Sequence, residues 1–375
     1  MKDRLDFYNS YKQEHRIFNN RVKRFWAIFG VLFSIYTLIT LDDVWLFLLT
    51  LAMMTTIGAW GLNIVSGFAG QISLAHGAFI GIGTYTAFVL GGNIGSSVLS
   101  YGLDMAIWLP LSGIVPMLFG ILISPVTSKL KGLNLGLFSI GIVYFVLHIF
   151  QNFRTVTGGS GLGRKSPDFV LLGFNFENGI TIGNLVLNEN NLIALFSLVI
   201  LILSGFGVKN IARTKTGRAF FSIRDRDIAA EAIGVDLLRY KGIAYAISSF
   251  YAGICGALLF TFTGGVEPNQ FNFVYSVTFI AIVIIGGAGT VLGPLFGSFF
   301  FILMPSVIQE IIHFFGLFEQ SSLLNLAQIE RLVFGIFIIV FLIFEPRGLW
   351  GIWFRLRNYF KACLLYTSPS PRDWL

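Results

Sequence analysis

Runs of roughly 20 apolar residues, separated by short polar or charged segments, recur along most of this 375-residue chain. An α-helix of about 20 residues is long enough to cross the hydrocarbon core of a bilayer, so each run is predicted to be a transmembrane helix. The pattern predicts an all-α polytopic membrane protein with about eight to ten transmembrane helices. The predicted spans cover residues 25–41, 44–64, 72–90, 106–124, 133–152, 192–208, 242–263, 275–289, 290–313 and 332–344.

Two of the apolar stretches contain glycine and polar residues and are predicted to form broken or re-entrant helices. They are residues 61–90, with amide, hydroxyl and imidazole groups, and residues 275–313, broken at IIGGAGTVLGP. Polar groups are costly in lipid and tend to face a cavity, and a broken helix exposes backbone groups to a polar solute. We therefore predict a translocation path formed by Asn63, Gly67, Gly70, Gln71, Ser73, His76, Gly286, Gly287 and Gly289.

A structural role is the alternative for the same residues. Polar side chains in membrane bundles form hydrogen bonds between helices, and glycine lets two helices approach closely. For His76 considered alone, an interhelical hydrogen bond is the preferred interpretation.

The longest charged segment in the middle of the chain is residues 209–241, between two predicted spans. Its central part is amphipathic, with an apolar stripe on one side and charged residues largely on the others. The stripe is predicted to contain Ala219, Ile223, Ala230, Ile233 and Leu237, and the charged set Arg224, Asp225, Arg226, Asp227 and Glu231. A helix of this kind can dock in a groove of a partner protein, and the alternative is a solvated loop with a helix lying on the membrane.

The low content of charged residues supports the prediction of a membrane protein, and the distribution of Lys and Arg among its loops predicts its orientation. Only 12% of the residues are charged and the mean hydropathy is +0.77, which leaves too few charges to cover a soluble domain. With both termini in the cytoplasm, the loops at 129–131 and 209–241 and the tail after Glu345 lie inside the cell. These segments carry most of the Lys and Arg, as the positive-inside rule requires. The net charge of +7 therefore does not indicate nucleic acid.

The predicted domain organisation follows from these features. Residues 1–24 form a cytoplasmic arm, residues 25–352 the transmembrane domain, and residues 353–375 a basic tail. Residues 363–375 change character abruptly, and two interpretations stay open for them: a disordered natural tail, or an artefact of sequencing or assembly.

The sequence contains no catalytic or metal-binding pattern. The cysteines Cys255 and Cys363 form no CxxC motif, and there is no Ser/His/Asp set. GGSGLGRKS at 158–166 fails the phosphate-loop pattern, because Arg164 replaces the last glycine and Pro167 prevents a helix from starting there. We predict no cofactor, no metal and no enzymatic activity, so ATP-driven transport would need a separate ATPase. Charged residues are absent from the middle of the predicted spans, which argues against an ion-coupled secondary transporter.

Five motifs in a fixed order resemble those of a known permease family. They are GLNIVSGFAGQISLAHGAFIGIGTYTAFVL, TGGSGLGRKSPDF, GRAFFSIRDRDIAAEAIGVDLLRYK, IVIIGGAGTVLGPLFGSFF and FEPRGLWGIW. Over about residues 45–352, the chain resembles the LivM-type permease of the branched-chain amino acid ABC importer.

The resemblance implies a type II ABC importer-like fold, a bacterial inner (cytoplasmic) membrane, and translocation of leucine, isoleucine and valine. The implied partners are a homologous LivH-type permease, two cytoplasmic ABC ATPases and a periplasmic or lipid-anchored substrate-binding protein. The family's ATPase-coupling helix corresponds to Gly217, Arg218, Ala219, Ala229, Ala230, Glu231, Ala232 and Gly234, although AAEAIG fits the wider importer motif loosely. Urea and short-chain amide permeases share this architecture and remain an alternative, as does a secondary transporter or channel.

Overall fold

The computed structural model describes residues 21–93, 98–130, 132–159, 161, 163–182, 185–314, 326–345 and 347–366. Within these ranges the apolar stretches are helical and strands are few and short, so the predicted all-α membrane architecture is confirmed. Most of the predicted N-terminal arm and residues 367–375 of the tail lie outside the described residues.

The elements are numbered here in chain order. The helices are α1 (Arg21–Thr40), α2 (Asp43–Asn63), α3 (His76–Gly91), α4 (Met105–Lys129), α5 (Leu133–Asn152), α6 (Arg154–Thr157), α7 (Glu189–Arg213), α8 (Lys215–Asp225), α9 (Asp227–Ala232), α10 (Leu237–Phe262), α11 (Phe273–Gly286), α12 (Gly293–Phe314), α13 (Leu326–Phe344) and α14 (Gly348–Tyr366). The strands are β1 (Arg164–Lys165), β2 (Val170–Leu171), β3 (Phe174–Asn175), β4 (Ile180–Ile182), β5 (Leu185–Leu187) and β6 (Gly265–Val266).

Six of the described helices are long and apolar enough to cross a membrane, judged by length and composition. They are α2 with its extension to Phe68, α4, α5, α7, α10 and α12. Shorter apolar stretches lie in α1 (Arg24–Thr40) and α11 (Phe273–Gly286). Helix α3 has 16 residues. At 1.5 Å per residue it is about 24 Å long, less than the ~30 Å hydrocarbon core, as expected for part of a broken span.

Helix α10 lies at the centre of the bundle, where it packs along α2, α3 and α4. In α10, 67% of the apolar window is buried, compared with 39% in α4 and in α5. The exposed side chains of α4 and α5, such as Leu122 and Leu133, are large and apolar. These two helices therefore present surfaces that suit lipid or another membrane subunit.

The centre of the bundle is packed backbone against backbone at Gly83 of α3 and Gly253 of α10. A Cβ atom on Gly83 would collide with the backbone of Gly253, and a Cβ atom on Gly253 would collide with the carbonyl of Ser112 in α4. Small residues permit this close approach in membrane bundles. At this level the backbone of α10 contacts the backbones of both α3 and α4.

Both predicted helix breaks are present. Helix α2 continues as a π-helical turn over Ile64–Phe68, and residues 69–75 are then non-helical until α3 begins. Residues 287–292 separate α11 from α12. Positive φ angles of +66° at Gly70 and +79° at Gly289 shape the two breaks. Glycine adopts such angles without the steric cost that other residues incur.

The 209–241 segment is more helical than predicted, which corrects its boundaries. Helix α7 continues to Arg213 instead of ending near residue 208, and α10 begins at Leu237 instead of near residue 242. Helices α8 and α9 lie between them, separated by Arg226, whose backbone is extended.

The prediction of one apolar stripe along this segment is wrong for Ile233. Ala219, Ile223 and Ala230 are buried, whereas Ile233 is 77% exposed. Ile233 lies after the end of α9 and beyond the extended backbone at Arg226, so the helical phase that turns Ala219 and Ile223 inward does not extend to it.

The segment between α6 and α7 forms short antiparallel strand pairs, β2 with β3 and β4 with β5, while β1 pairs with β6. Arg164 in β1 is buried, and burial lowers the pKa of its guanidinium to about 10, so it stays protonated at neutral pH. The guanidinium donates to the carbonyl oxygens of Phe88, Leu99 and Val156. Arg164 thus joins the end of α3, the loop before α4, and α6.

Candidate translocation and coupling site

The two helix breaks meet at Asn63, the last residue of α2. Its side chain is fully buried. The N–H of Gly289 donates to Asn63 Oδ1 at 2.8 Å, and Asn63 Nδ2 donates to Thr290 O at 2.8 Å. Nearby, Trp60 Nε1 donates to Val291 O at 2.7 Å. The structure therefore brings the predicted path residues Asn63 and Gly289 together in what we call the break junction (residues 63–70, 287–291 and Arg224).

Arg224 of α8 enters the break junction from outside the membrane helices. Its Nη1 donates to Gly67 O at 2.8 Å. A Cβ atom on Gly289 would collide with Nη1, and a Cβ atom on Gly70 would lie 2.8 Å from Arg224 Cγ. The space left by two missing side chains is therefore filled by one arginine, and the predicted Gly67, Gly70 and Gly289 all adjoin it.

Gly286 and Gly287 have a different environment. A Cβ atom on Gly286 would collide with the carbonyl of Gly293, at the start of α12. A Cβ atom on Gly287 would lie 2.9 Å from Trp350 Cβ and 3.0 Å from Arg347 O. These two predicted path residues close the turn between α11 and α12 against the start of α14.

Gln71 and Ser73 are buried in the non-helical stretch between α2 and α3. Gln71 is 5% exposed, and within the described residues neither atom of its amide has a hydrogen-bond partner. It lines a cavity of about 270 Å³ that is bordered by α8 and by Lys241 of α10. Gln71 therefore places a buried polar side chain at the edge of the cavity.

His76 lies apart from the break junction, at the first residue of α3. Its Nε2 atom is 2.9 Å from Gly58 O of α2, and its ring packs on Phe279 with the ring centroids 5.3 Å apart. The side chain is buried. This contact is the interhelical hydrogen bond that the sequence favours for this residue.

The predicted coupling residues divide into a buried and an exposed set. At Gly217 a Cβ atom would collide with the carbonyls of Ile211 and Ala212, so α8 folds tightly against the end of α7. The buried set is Gly217, Ala219 and Ala230, and the exposed set is Arg218, Ala229, Glu231, Ala232 and Gly234.

Helix α9 and the turn after it present two large apolar side chains to the surroundings. Ile228 is 74% exposed and Ile233 is 77% exposed, with the exposed Glu231 between them in sequence. Gly234 follows with a φ of +88°. Exposed isoleucines on a short polar helix are suited to insertion into an apolar groove of a partner.

Sequence reasoning does not find Arg224, Trp60 and Lys241. The amphipathic pattern places Arg224 only on a charged outer face, whereas its guanidinium bonds Gly67 O. Lys241 is 5% exposed, with Nζ 3.4 Å from Ser128 O. The contacts of these three residues join positions 113 to 231 apart in the chain, and no local pattern signals them.

Several known permeases resemble the chain. It is 27% identical over 312 residues to the high-affinity branched-chain amino acid transport system permease protein LivM of Salmonella typhimurium, covering 80% of this chain and 68% of that protein. LivH of the same organism is 24% identical over 317 residues, covering 80% and 92%. A 117-residue region is 30% identical to the autoinducer 2 import system permease protein LsrC of an Enterobacter species, covering 30% and 34%.

No solved structure matches the chain. A family profile does: the family described as "Branched-chain amino acid transport system / permease component" matches residues 44–342. That range holds both helix breaks, α8, α9 and every predicted path and coupling residue. Because the match covers most of its length, the chain belongs to the branched-chain amino acid transport system permease family.

Proposed function

We propose that this chain is the membrane-spanning permease subunit of an ATP-driven importer for leucine, isoleucine and valine. Family membership and the similarity to LivM and LivH, whose names give this substrate class, support the proposal. The observation that carries it is the α8–α9 unit, which presents Ile228 and Ile233 outward while Arg224 enters the break junction. A surface suited to a partner is thereby connected to the deformable parts of the membrane helices.

The coupling route follows these contacts. Movement of ATPase subunits docked on α9 would displace α8, and the tight contact at Gly217 would pass that displacement to α7. Arg224 would carry it to Gly67 O, and Asn63 would carry it on to the turn between α11 and α12. The two breaks would then change together and switch the access of the path from one side of the membrane to the other.

The break junction suits a solute that must pass without being held tightly. A branched-chain amino acid carries two opposite charges and an apolar side chain, so the path has to replace its hydration. Backbone and amide dipoles at broken helices can do this without a charged side chain from the membrane helices themselves. Selection among substrates then belongs mainly to the binding protein that delivers them.

We infer the assembly from the same surfaces. The apolar sides of α4 and α5 suit lipid and a homologous LivH-type permease, and the exposed side of α9 suits the two cytoplasmic ABC ATPases. A periplasmic or lipid-anchored binding protein would supply substrate from outside. In a bacterial inner membrane with both termini cytoplasmic, α8 and α9 face the compartment that holds ATP.

Uptake by the complete complex in proteoliposomes tests the proposal. Labelled leucine, isoleucine, valine and urea are supplied outside together with the binding protein, and ATP is enclosed inside. We expect ATP-dependent accumulation of the three amino acids and none of urea. Accumulation of urea alone would show that the substrate is urea or a short-chain amide. Amino acid uptake without the ATPase subunits would indicate a secondary transporter or channel.

A further inference from the structure

A buried polar group that packing does not explain, the amide of Gln71, lies at the edge of a cavity. The cavity measures about 270 Å³ and lies between residues 69–72, α8 and the start of α10. Within the described part of the chain, the amide oxygen and nitrogen of Gln71 are both buried and both without a hydrogen-bond partner. Buried amides are nearly always hydrogen-bonded, because burial removes their contacts with water. The unpartnered amide points to a polar ligand.

The cavity lining carries both signs of charge. Arg224, Arg226 and Lys241 contribute cations, and Asp225 and Asp227 contribute anions. A guanidinium has five N–H donors, and the hydrogen bond to Gly67 O uses one of those on Arg224, so the others can bond a ligand. The Asp225 carboxylate is close to the same guanidinium, with Oδ1 3.9 Å from Nε. A ligand here would meet a positive and a negative group side by side.

Aliphatic side chains complete the lining. Leu130, Leu135 and Ile223 border the same space. A purely anionic solute would face Asp225 and Asp227, and a purely cationic one would face Arg224 and Lys241. A solute with both charges and an apolar part satisfies the whole lining, and the volume suits one such molecule of amino acid size.

We propose that this cavity binds a free aliphatic α-amino acid from the side that we assign to the cytoplasm. The carboxylate would bond Arg224, rotation of the Gln71 side chain would bring its amide nitrogen to the same carboxylate, and the ammonium group would face Asp225. Because Arg224 also links α8 to Gly67, a bound ligand holds the two elements together and slows their movement. Product that accumulates inside the cell therefore lowers the rate of import, and in this respect the inference rests on the proposed function.

The test uses the complete complex in proteoliposomes that enclose ATP and a graded concentration of unlabelled leucine. The initial rates of ATP hydrolysis and of uptake are measured, and the internal leucine concentration that halves each rate is determined. We expect internal leucine to lower both rates. Internal N-acetyl-leucine, which lacks the ammonium group, leucinamide, which lacks the carboxylate, and urea should have no effect.

Two variants assign the effect to the cavity. Gln71→Leu is expected to raise the half-inhibiting concentration of internal leucine about tenfold or more, which corresponds to ~1.4 kcal/mol of binding free energy. Asp225→Asn, at an exposed side chain, should act in the same direction and covers the case in which Gln71→Leu fails to assemble. Gln151→Leu is the control, because that amide bonds Asn269, which lies outside the cavity lining. It should keep the half-inhibiting concentration of the unmodified complex.

The proposed substrate class and the proposed cavity site are tested by separate measurements, so one can be wrong while the other holds. Vesicles without internal leucine test the proposed substrate class, whereas ATP hydrolysis in loaded vesicles tests the cavity even when no amino acid is taken up. The inference is overturned when internal leucine changes neither rate, when N-acetyl-leucine is as effective as leucine, or when both variants retain the original half-inhibiting concentration.

Discussion

Arg224 of α8 donates its Nη1–H to the carbonyl oxygen of Gly67, at 2.8 Å, across 157 positions of sequence. This hydrogen bond connects a surface helix to the π-helical end of α2. The same nitrogen occupies the space that a side chain at Gly289 would need. One residue thus contacts both helix breaks, and the following predictions concern that connection and the surfaces around it.

Arg224→Met should uncouple transport from ATP hydrolysis. Methionine keeps much of the apolar stem but loses a charged hydrogen bond worth about 1.5–3 kcal/mol. We expect ATP-driven uptake to fall about tenfold or more, while the ATPases still associate and hydrolyse ATP. Arg239→Gln, at an exposed arginine in the first turn of α10, is the matched control and should keep normal uptake. Normal uptake by Arg224→Met would remove Arg224 from the coupling route.

Asn63→Leu should loosen the turn between α11 and α12. The substitution leaves Gly289 N–H and Thr290 O without partners, each at a cost of about 1–3 kcal/mol. Hydrogen exchange of the peptide covering residues 284–294 should accelerate, and the apparent Tm should fall. Asn63→Asp keeps an acceptor for Gly289 N–H and should show a smaller change. Unchanged exchange in Asn63→Leu would contradict the bridging role.

Gly289→Ala should impair both stability and uptake. A φ of +79° costs a residue with a Cβ about 1–2 kcal/mol, and the methyl group would also displace the Arg224 guanidinium. Gly30→Ala is the control, because a Cβ atom there meets nothing within 4 Å and lies in helix α1. Alanine at an ordinary helical position is favoured over glycine by about 0.5–1 kcal/mol, so Gly30→Ala should be neutral or stabilising. Equal effects of the two substitutions would argue against a special role for position 289.

The double substitution Ile228→Ser with Ile233→Ser should weaken association with the ATPases. Each isoleucine buried in an interface contributes about 1.5–3 kcal/mol, so losing both should lower the affinity by about a hundredfold or more. Membrane insertion should be unaffected, because both side chains are exposed in the isolated chain. Co-purification of the ATPases with the tagged permease measures the change.

Val186→Ser is the control for that double substitution. Val186 is 66% exposed in β5, at the other end of α7 from α8. It should leave ATPase association intact. Substitution of Glu231 or Gly234, which lie close to Ile233 in sequence, should abolish both uptake and ATPase association. Full ATPase association of the double isoleucine variant and of the Glu231 and Gly234 variants would overturn docking on α9.

Arg164→Met should destabilise the end of the bundle opposite α8. The carbonyls of Phe88, Leu99 and Val156 would lose their donor, for a total of about 3 kcal/mol or more. Arg164→Lys should not restore stability, because one ammonium group cannot reproduce the fork geometry of a guanidinium. Lys165→Met changes an exposed neighbour and should leave the apparent Tm unchanged.

The helix breaks are predictable because their causes are local. Glycines and polar residues interrupt an apolar run near residues 67–76 and again near 286–289, and both chain segments leave the helical conformation there. The hydrophobic periodicity of a sequence no longer predicts which side chains are buried once an interruption changes the phase of the helix. Ile233 fits a stripe with Ile223 only while the helix is continuous, and the extended backbone at Arg226 ends that continuity.

The junction itself is not predictable from a single sequence. A polar position on an amphipathic helix can face water or a backbone carbonyl of a distant element, and the pattern of Arg224 is the same in both cases. Asn63 is recognisable as a polar residue in an apolar run, but its partners at Gly289 and Thr290 follow only from how α2 and α12 pack.

The contact between Gly83 and Gly253 restricts what these positions can become. With the Ser112 carbonyl on the other side of Gly253, even a methyl group has no room, so neither glycine can be replaced without moving a whole helix. Gly256, one turn further along α10, packs on the carbonyl of Ile80 in α3 in the same way, so the close approach of α3 and α10 extends over a full helical turn. We therefore expect α3, α4 and α10 to move as one unit during transport, with the changes in access confined to the segments packed around them.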